Sequence, residues 1–188
     1  VASWWSPVVH VALAAAAAAA TAVATAQLYR GKRPGAVGWH DYVALTKPRI
    51  MSLLLLTGAA GMFVGAQGLP DAGLFVAMLV GLALACGGAS ALNHVLDRDI
   101  DRSMKRTSSR PVADGRVSPE LALEFGLALS ALSFVLLASA VNVLTACLAL
   151  VGGLFYVLVY TLWLKRSTPQ NIVIGGAAGA VPPLVGYA

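Results

Sequence analysis

The chain has 188 residues, of which 59% are hydrophobic and only 11% charged, with a net charge of +5. Soluble domains carry about 25% charged residues, and a mean hydropathy of +0.79 excludes one here. The chain reads as all-α, a polytopic transmembrane helix bundle of about half a dozen spans within one membrane domain or part of a larger one.

The first apolar run, Val8 to Leu28, is largely alanine, an excellent helix former but only weakly apolar. No basic residue precedes it, so it lacks the pattern of a secretory signal. Residues 29–40 read as a linker leading into an interfacial stretch, where Trp39, His40 and Tyr42 suit the headgroup level. Span two runs from about Ile50 to Ala66. A turn with Pro70 and Asp71 leads to span three, Leu74 to Leu92, which delivers the chain to a hydrophilic stretch, Asn93 to Pro111. Ser118-Pro119-Glu120 is a helix start, with a capping hydroxyl, a proline at the first helical position and an acid in the first turn. Span four then reaches Val141, Asn142 marks a very tight turn, and span five continues to Leu164. After the polar stretch 165–170, Asn171 opens span six, which Pro182-Pro183 should break or kink. Small residues recur in the spans (Gly58, Gly61, Gly81, Gly87, Gly88, Gly152, Gly153, Gly175, Gly176, Gly179) and are expected to let helices pack closely in lipid. Cys86 and Cys147 both sit in apolar runs and suggest neither a disulfide framework nor a metal knuckle. The chain begins with Val1 and stops inside an apolar run at Ala188, which reads as a piece of a longer protein.

All thirteen basic residues fall in three groups: 30–49, 98–116 and 165–166. The turns at 67–73 and 142 carry none. Every basic group therefore lies on one side of the membrane, and the positive-inside rule makes that side cytoplasmic. The same distribution argues against a nucleic-acid partner. The localisation expected is a multi-pass protein of the cell (inner) membrane, with Asn93 to Pro111 in the cytoplasm.

That hydrophilic stretch holds three of the chain's eight acids and five of its thirteen basic residues. Asn93, Asp97 and Asp101 are spaced i, i+4, i+8. Each four-residue step turns a helical side chain only about 40°, so all three share a face and Asp99 lies roughly opposite. Two carboxylates at this spacing repel, whereas a divalent cation reverses that sign, and an oxygen-rich trio suits Mg²⁺ completed by phosphate oxygens. Arg102, Lys105, Arg106 and Arg110 follow at once, as a multiply charged anion requires. A solvated helix laced with pairs such as Asp101 with Lys105 would account for the same charges. Its place at the end of an apolar run favours instead a site for a diphosphate on a greasy tail, with the tail between the helices. Cations stabilise a leaving pyrophosphate there, and a dry cavity protects an allylic carbocation.

The pattern N-x-x-x-D-x-x-x-D at 93–101 resembles the first signature of the UbiA superfamily of intramembrane prenyltransferases. DYVALTKPRI at 41–50, ALNHVLDRDIDRSMKRTSSRPVADGRVSP at 91–119 and YTLWLKRSTPQNIVIGGAAGAVPPLVGYA at 160–188 are similar, more specifically, to its protohaem IX farnesyltransferase (haem O synthase) branch. The resemblance makes 41–188 the N-terminal part of such a domain. It implies transfer of farnesyl from farnesyl diphosphate to a vinyl group of haem B, with water adding to leave a hydroxyethylfarnesyl chain. It implies Asn93, Asp97 and Asp101 as holders of Mg²⁺ and diphosphate. Lys47, Arg49, Arg102, Lys105, Arg106 and Arg110 would meet the diphosphate at the same mouth. Lys165 and Arg166 lie on the right side, though topology alone explains them. His94 reads as loop, and Asp99 as a solvent-facing acid. The family's second acidic motif is absent, so this piece alone is expected to be inactive. Residues 1–28 look like the closing helix of a preceding domain, similar to the last helix of haem A synthase, where a His near the helix start binds haem; His10 stands at such a position, although a lone His at a membrane edge is usually only interfacial.

Two other readings compete. A sister prenyltransferase acting on an aromatic or quinone precursor shares the N-D-D trio, but TKPRI and NIVIGG count against it. A transporter or assembly factor would be expected to bury charges within its spans, and spans two to six contain almost none.

Overall fold

A computed structural model describes residues 37–188. The alanine-rich run at 8–28, His10 and residues 29–36 of the linker lie outside the described residues. The described chain is helical throughout, with no strand among its elements. In order these are α1 (Trp39–Leu45), α2 (Pro48–Gly65), α3 (Ala72–Leu96), α4 (Arg98–Ser103), α5 (Pro119–Ala140), α6 (Val143–Ser167), α7 (Asn171–Gly179) and α8 (Val181–Tyr187). Helices α2, α3, α5 and α6 are each long and apolar enough to cross a membrane. The protein is a multi-pass membrane helix bundle.

The helix starts follow local chemistry. The Asp71 carboxylate accepts the Leu74 N–H at 2.9 Å, the Ser118 hydroxyl accepts that of Leu121 at 3.3 Å, and the Asn142 side chain accepts that of Thr145 at 2.7 Å. Each satisfies one of the donors a helix N-terminus leaves open. Asn142 makes the tight turn its position predicts, since α5 ends at Ala140 and α6 begins at Val143.

Lipid gives little hydrophobic drive for helix association, so close contact between backbones must supply it. The largest contact joins α3 to α5. There a Cβ on Gly88 would run into the Gly126 carbonyl and Ser130, and Ser133 Oγ donates to the Gly81 carbonyl at 2.7 Å. Helix α8 returns along α2, with Gly61 facing the Pro183 carbonyl. Met62, Met78, Leu82, Leu137 and Val185 fill the centre. Leu53, Leu56, Val151 and Leu158 remain outside, as lipid-facing residues should. Close packing fails as an explanation at Gly176 and Gly179, where an added Cβ would meet nothing.

Span six is broken as Pro182-Pro183 leads one to expect, into two short helices that part at Ala180, one residue before the turn carrying both prolines. One element departs from the sequence expectation. Span five is not a plain α-helix: Phe155–Leu164 is wound as a π-helix, and the Lys165 N–H reaches back five residues to the Tyr160 carbonyl.

Candidate active site

Helix α3 ends at Leu96, and Asp97 (φ −90°, ψ 3°) joins it to α4. The chain stays nearly helical across this joint. Asp97 N–H bonds to the Asn93 carbonyl at 2.9 Å, and Asp101 N–H to the Asp97 carbonyl at 2.8 Å. Asn93, Asp97 and Asp101 therefore keep one face, and that face is interior: they are 2%, 0% and 2% exposed.

Buried carboxylates need partners, and three cations from three parts of the chain surround this trio. Lys47 comes from the joint between α1 and α2, where it adopts the left-handed conformation (φ 51°, ψ 64°) immediately before Pro48. That conformation costs a non-glycine residue roughly 1–2 kcal/mol. It turns the chain between the two helices and brings Lys47 Nζ to Asn93 Oδ1 at 2.6 Å. Burial, with the Arg110 guanidinium second, lowers the Lys47 ammonium from its ordinary 10.5 to about 8. Lys165, at the end of the π-helical segment, donates to Asp97 Oδ2 at 2.6 Å. Asn93 Nδ2 donates to the same oxygen at 2.6 Å and to Thr161 Oγ1 at 3.1 Å. Arg110 Nη1 meets both oxygens of Asp101, at 2.9 and 2.8 Å. The i, i+4 partner Lys105 does not pair with Asp101, because α4 ends at Ser103.

Asp99 points the other way. Its side chain is 58% exposed and takes two bonds from Arg166, at 3.0 and 2.9 Å. Those bonds hold its carboxyl at about 2, below the ordinary 3.8.

The other basic residues of the predicted set divide. Arg102 Nε donates to the Ala113 carbonyl at 2.8 Å, fastening the loop 104–117. Arg116 completes that fastening by binding Asp114 and the buried Asp41 of α1. Arg49, Lys105 and Arg106 are exposed, with no side-chain partner among the described residues. Only Lys47 and Arg110 of the six predicted cations touch the Asn-Asp-Asp trio.

Sequence reasoning did not single out Lys165 and Thr161 as site residues. For Lys165 the signal was its side of the membrane; for Thr161 there was none, because π geometry sets which side chains of α6 face α3. His94 is also misplaced by the sequence reading. It lies within α3, 2% exposed, and not in a loop.

Next to Lys47 lies a cavity of about 430 Å³ between α2, α3, α6 and α7. Its walls are mainly apolar (Ile50, Leu54, Leu82 and Ala149 among them), with Gly176 and Gly179 leaving room on the α7 side. The size falls in the range of small-molecule sites.

Among the described residues no group of three or more His, Cys, Asp or Glu side chains is close enough to hold a metal ion. Asp97 Oδ1, however, is buried and has no partner, whereas Asp97 Oδ2, both Asp101 oxygens and Asn93 Oδ1 are taken by amide or cationic groups. An all-oxygen set with one free buried carboxylate oxygen fits a hard cation shared with an incoming anion, not one held by protein alone.

These features define a class: a polytopic membrane helix bundle with an ion-paired Asn-Asp-Asp cluster beside an apolar cavity. Residues 54–188 match the UbiA prenyltransferase family, and the chain belongs to it. It is 64% identical over 148 residues to the protoheme IX farnesyltransferase of Symbiobacterium thermophilum, covering 79% of this chain and 49% of that one. It is 56% identical over 148 residues to that of Synechocystis, covering 79% and 47%. Against that of Thermus thermophilus it is 47% identical over 199 residues, covering 98% of this chain and 33% of the relative. The chain thus spans a third to a half of the length of these curated relatives. No solved structure matches it.

Proposed function

We propose that this chain carries the diphosphate-binding part of a prenyltransferase that moves farnesyl from farnesyl diphosphate to a vinyl group of protohaem IX, yielding haem O. One observation carries the reading: Lys47, Arg110 and Lys165 converge on the buried trio Asn93, Asp97 and Asp101 beside an apolar cavity. The names of its relatives supply the acceptor and the isoprenyl group.

In this reading the three cations leave the trio and bind phosphate oxygens as the diphosphate enters. Asn93, Asp97 and Asp101 are then free to hold Mg²⁺, which when bound neutralises charge on the leaving diphosphate. Arg49, Lys105 and Arg106, lacking partners of their own, are proposed to draw the anion to the mouth. Arg102 holds the loop and belongs to the same diphosphate surface. The tail lies among the apolar walls of the cavity, which exclude water from the allylic cation. The mouth is proposed to face the cytoplasm, because the basic residues among the described ones gather at that end.

Residues 41–188 are proposed as the N-terminal part of the prenyltransferase domain, with 1–28 a helix of a preceding unit. The Thermus relative supports a longer arrangement, since its match takes in nearly the whole chain. Haem A synthase is the proposed neighbour, fused or associated, and His10 the residue whose loss should alter haem content in the joined protein.

The test uses full-length protein in membranes with haem B, farnesyl diphosphate and Mg²⁺, and 4-hydroxybenzoate as a parallel acceptor. Mass spectrometry of extracted haems should find haem O, and chelation should abolish it. Prenylated benzoate without haem O would keep the chemistry and overturn the acceptor.

A further inference from the structure

The Asn-Asp-Asp trio has an enclosed neighbour with no role in the reading above. His94 is 2% exposed, and neither ring nitrogen has a hydrogen-bond partner. It precedes Asp97 by three residues, which on a helix places the two side chains about 60° apart on one face. Asp97 contributes the other unpartnered polar atom of this region, its Oδ1. Asn93 is the direct neighbour of His94 in the chain and Asp97 lies one turn further on, so the ring adjoins the ionic cluster.

Buried polar groups are nearly always partnered by protein, water or ligand. Every other side chain of the cluster would give up a bond to meet an incoming anion: Lys47 leaves Asn93, Lys165 leaves Asp97, and Arg110 leaves Asp101. His94 gives up none. A neutral imidazole carries one N–H donor, and here that donor is enclosed, with no protein partner, on the residue that directly follows Asn93. We propose that His94 donates a hydrogen bond to an oxygen of the bound diphosphate, acting as a binding residue of the site; this rests on the function proposed above.

The experiment measures equilibrium binding of inorganic pyrophosphate with Mg²⁺ to full-length protein in lipid nanodiscs, with thermal unfolding recorded on the unliganded protein. His94→Leu should bind pyrophosphate about tenfold to a hundredfold more weakly, the worth of one hydrogen bond to a charged group. It should unfold no earlier than wild type, because no protein hydrogen bond is lost. His94→Asn and His94→Gln place an amide N–H near the positions of Nδ1 and Nε2 respectively, and one of them should bind within about threefold of wild type. Where the leucine variant fails to fold, this pair decides: unequal affinity supports the proposal and equal affinity overturns it. Wild-type affinity in His94→Leu overturns it, leaving a core histidine on an internal water. So does weakened haem binding, read from the Soret band, with pyrophosphate affinity unchanged. Absence of pyrophosphate binding in wild type overturns the proposed function itself, a result distinct from any of these.

Discussion

Asp97 and Asp99 are two residues apart in one charged stretch, and each pairs with a cation from the end of α6: Lys165 for one, Arg166 for the other. On paper the pairs are equivalent. In the fold, Asp97 is fully enclosed and Asp99 is mostly in solvent. The inner carboxylate was removed from water at a cost that only bonds within the cluster offset. The outer pair keeps most of its hydration and contributes little. An inner pair that can exchange protein partners for a ligand is poised for binding. An outer pair can at most hold the end of α6 against α4.

The largest effect should come from breaking the inner member. Asp97→Asn keeps the shape but removes the charge, and product formation should fall at least about 100-fold, the scale for loss of one preorganised electrostatic group. Asp99→Asn, the matched outer change, should stay within about twofold of wild type. Initial rates of haem O formation in membranes compare the two directly, and equal losses would mean the burial difference has no functional consequence. Lys165→Met should cost less, about 10- to 100-fold in diphosphate binding. In combination with Asp97→Asn its effect should be far from additive, because both alter one contact. Lys47→Met should fall in the same range. Its ammonium meets a neutral amide, so its removal strands no buried carboxylate.

Much of this contrast was legible beforehand. The four-residue spacing of Asn93, Asp97 and Asp101 placed them on one face and Asp99 on the other, and the joint at Asp97 preserves that arithmetic. The cap at Ser118, the tight turn at Asn142 and the separation of span six near Pro182 were also readable, since each is decided within a few residues. What escaped depended on distant parts of the chain. Lys165 and Thr161 reach the trio across 68 residues, through a π-helical turn that no local pattern in FYVLVYTLWL announces. Asp101 takes Arg110 over the nearer Lys105 because the loop folds back. His94 looked like loop because polar neighbours follow it, yet α3 runs to Leu96 and encloses it.

The smallest effect concerns the outer pair alone. Arg166 holds the Asp99 carboxyl at about 2, below its ordinary 3.8. The folded state therefore binds this proton less readily than the unfolded state. The stabilisation is complete above about pH 4 and is lost as the pH falls from about 4 to 2. With the side chain 58% exposed, solvent screening leaves well under about 1 kcal/mol of it. Unfolding of wild type and Arg166→Gln, compared at pH 5 and pH 2.5 in the same detergent, should show wild type losing slightly more on acidification. In about 1 M salt, where the screening length falls to about 3 Å, that difference should shrink further. Should Arg166→Gln instead reduce haem O formation as severely as Lys165→Met, the outer pair would have to be counted in the binding site. The line between the two faces would then have been drawn in the wrong place.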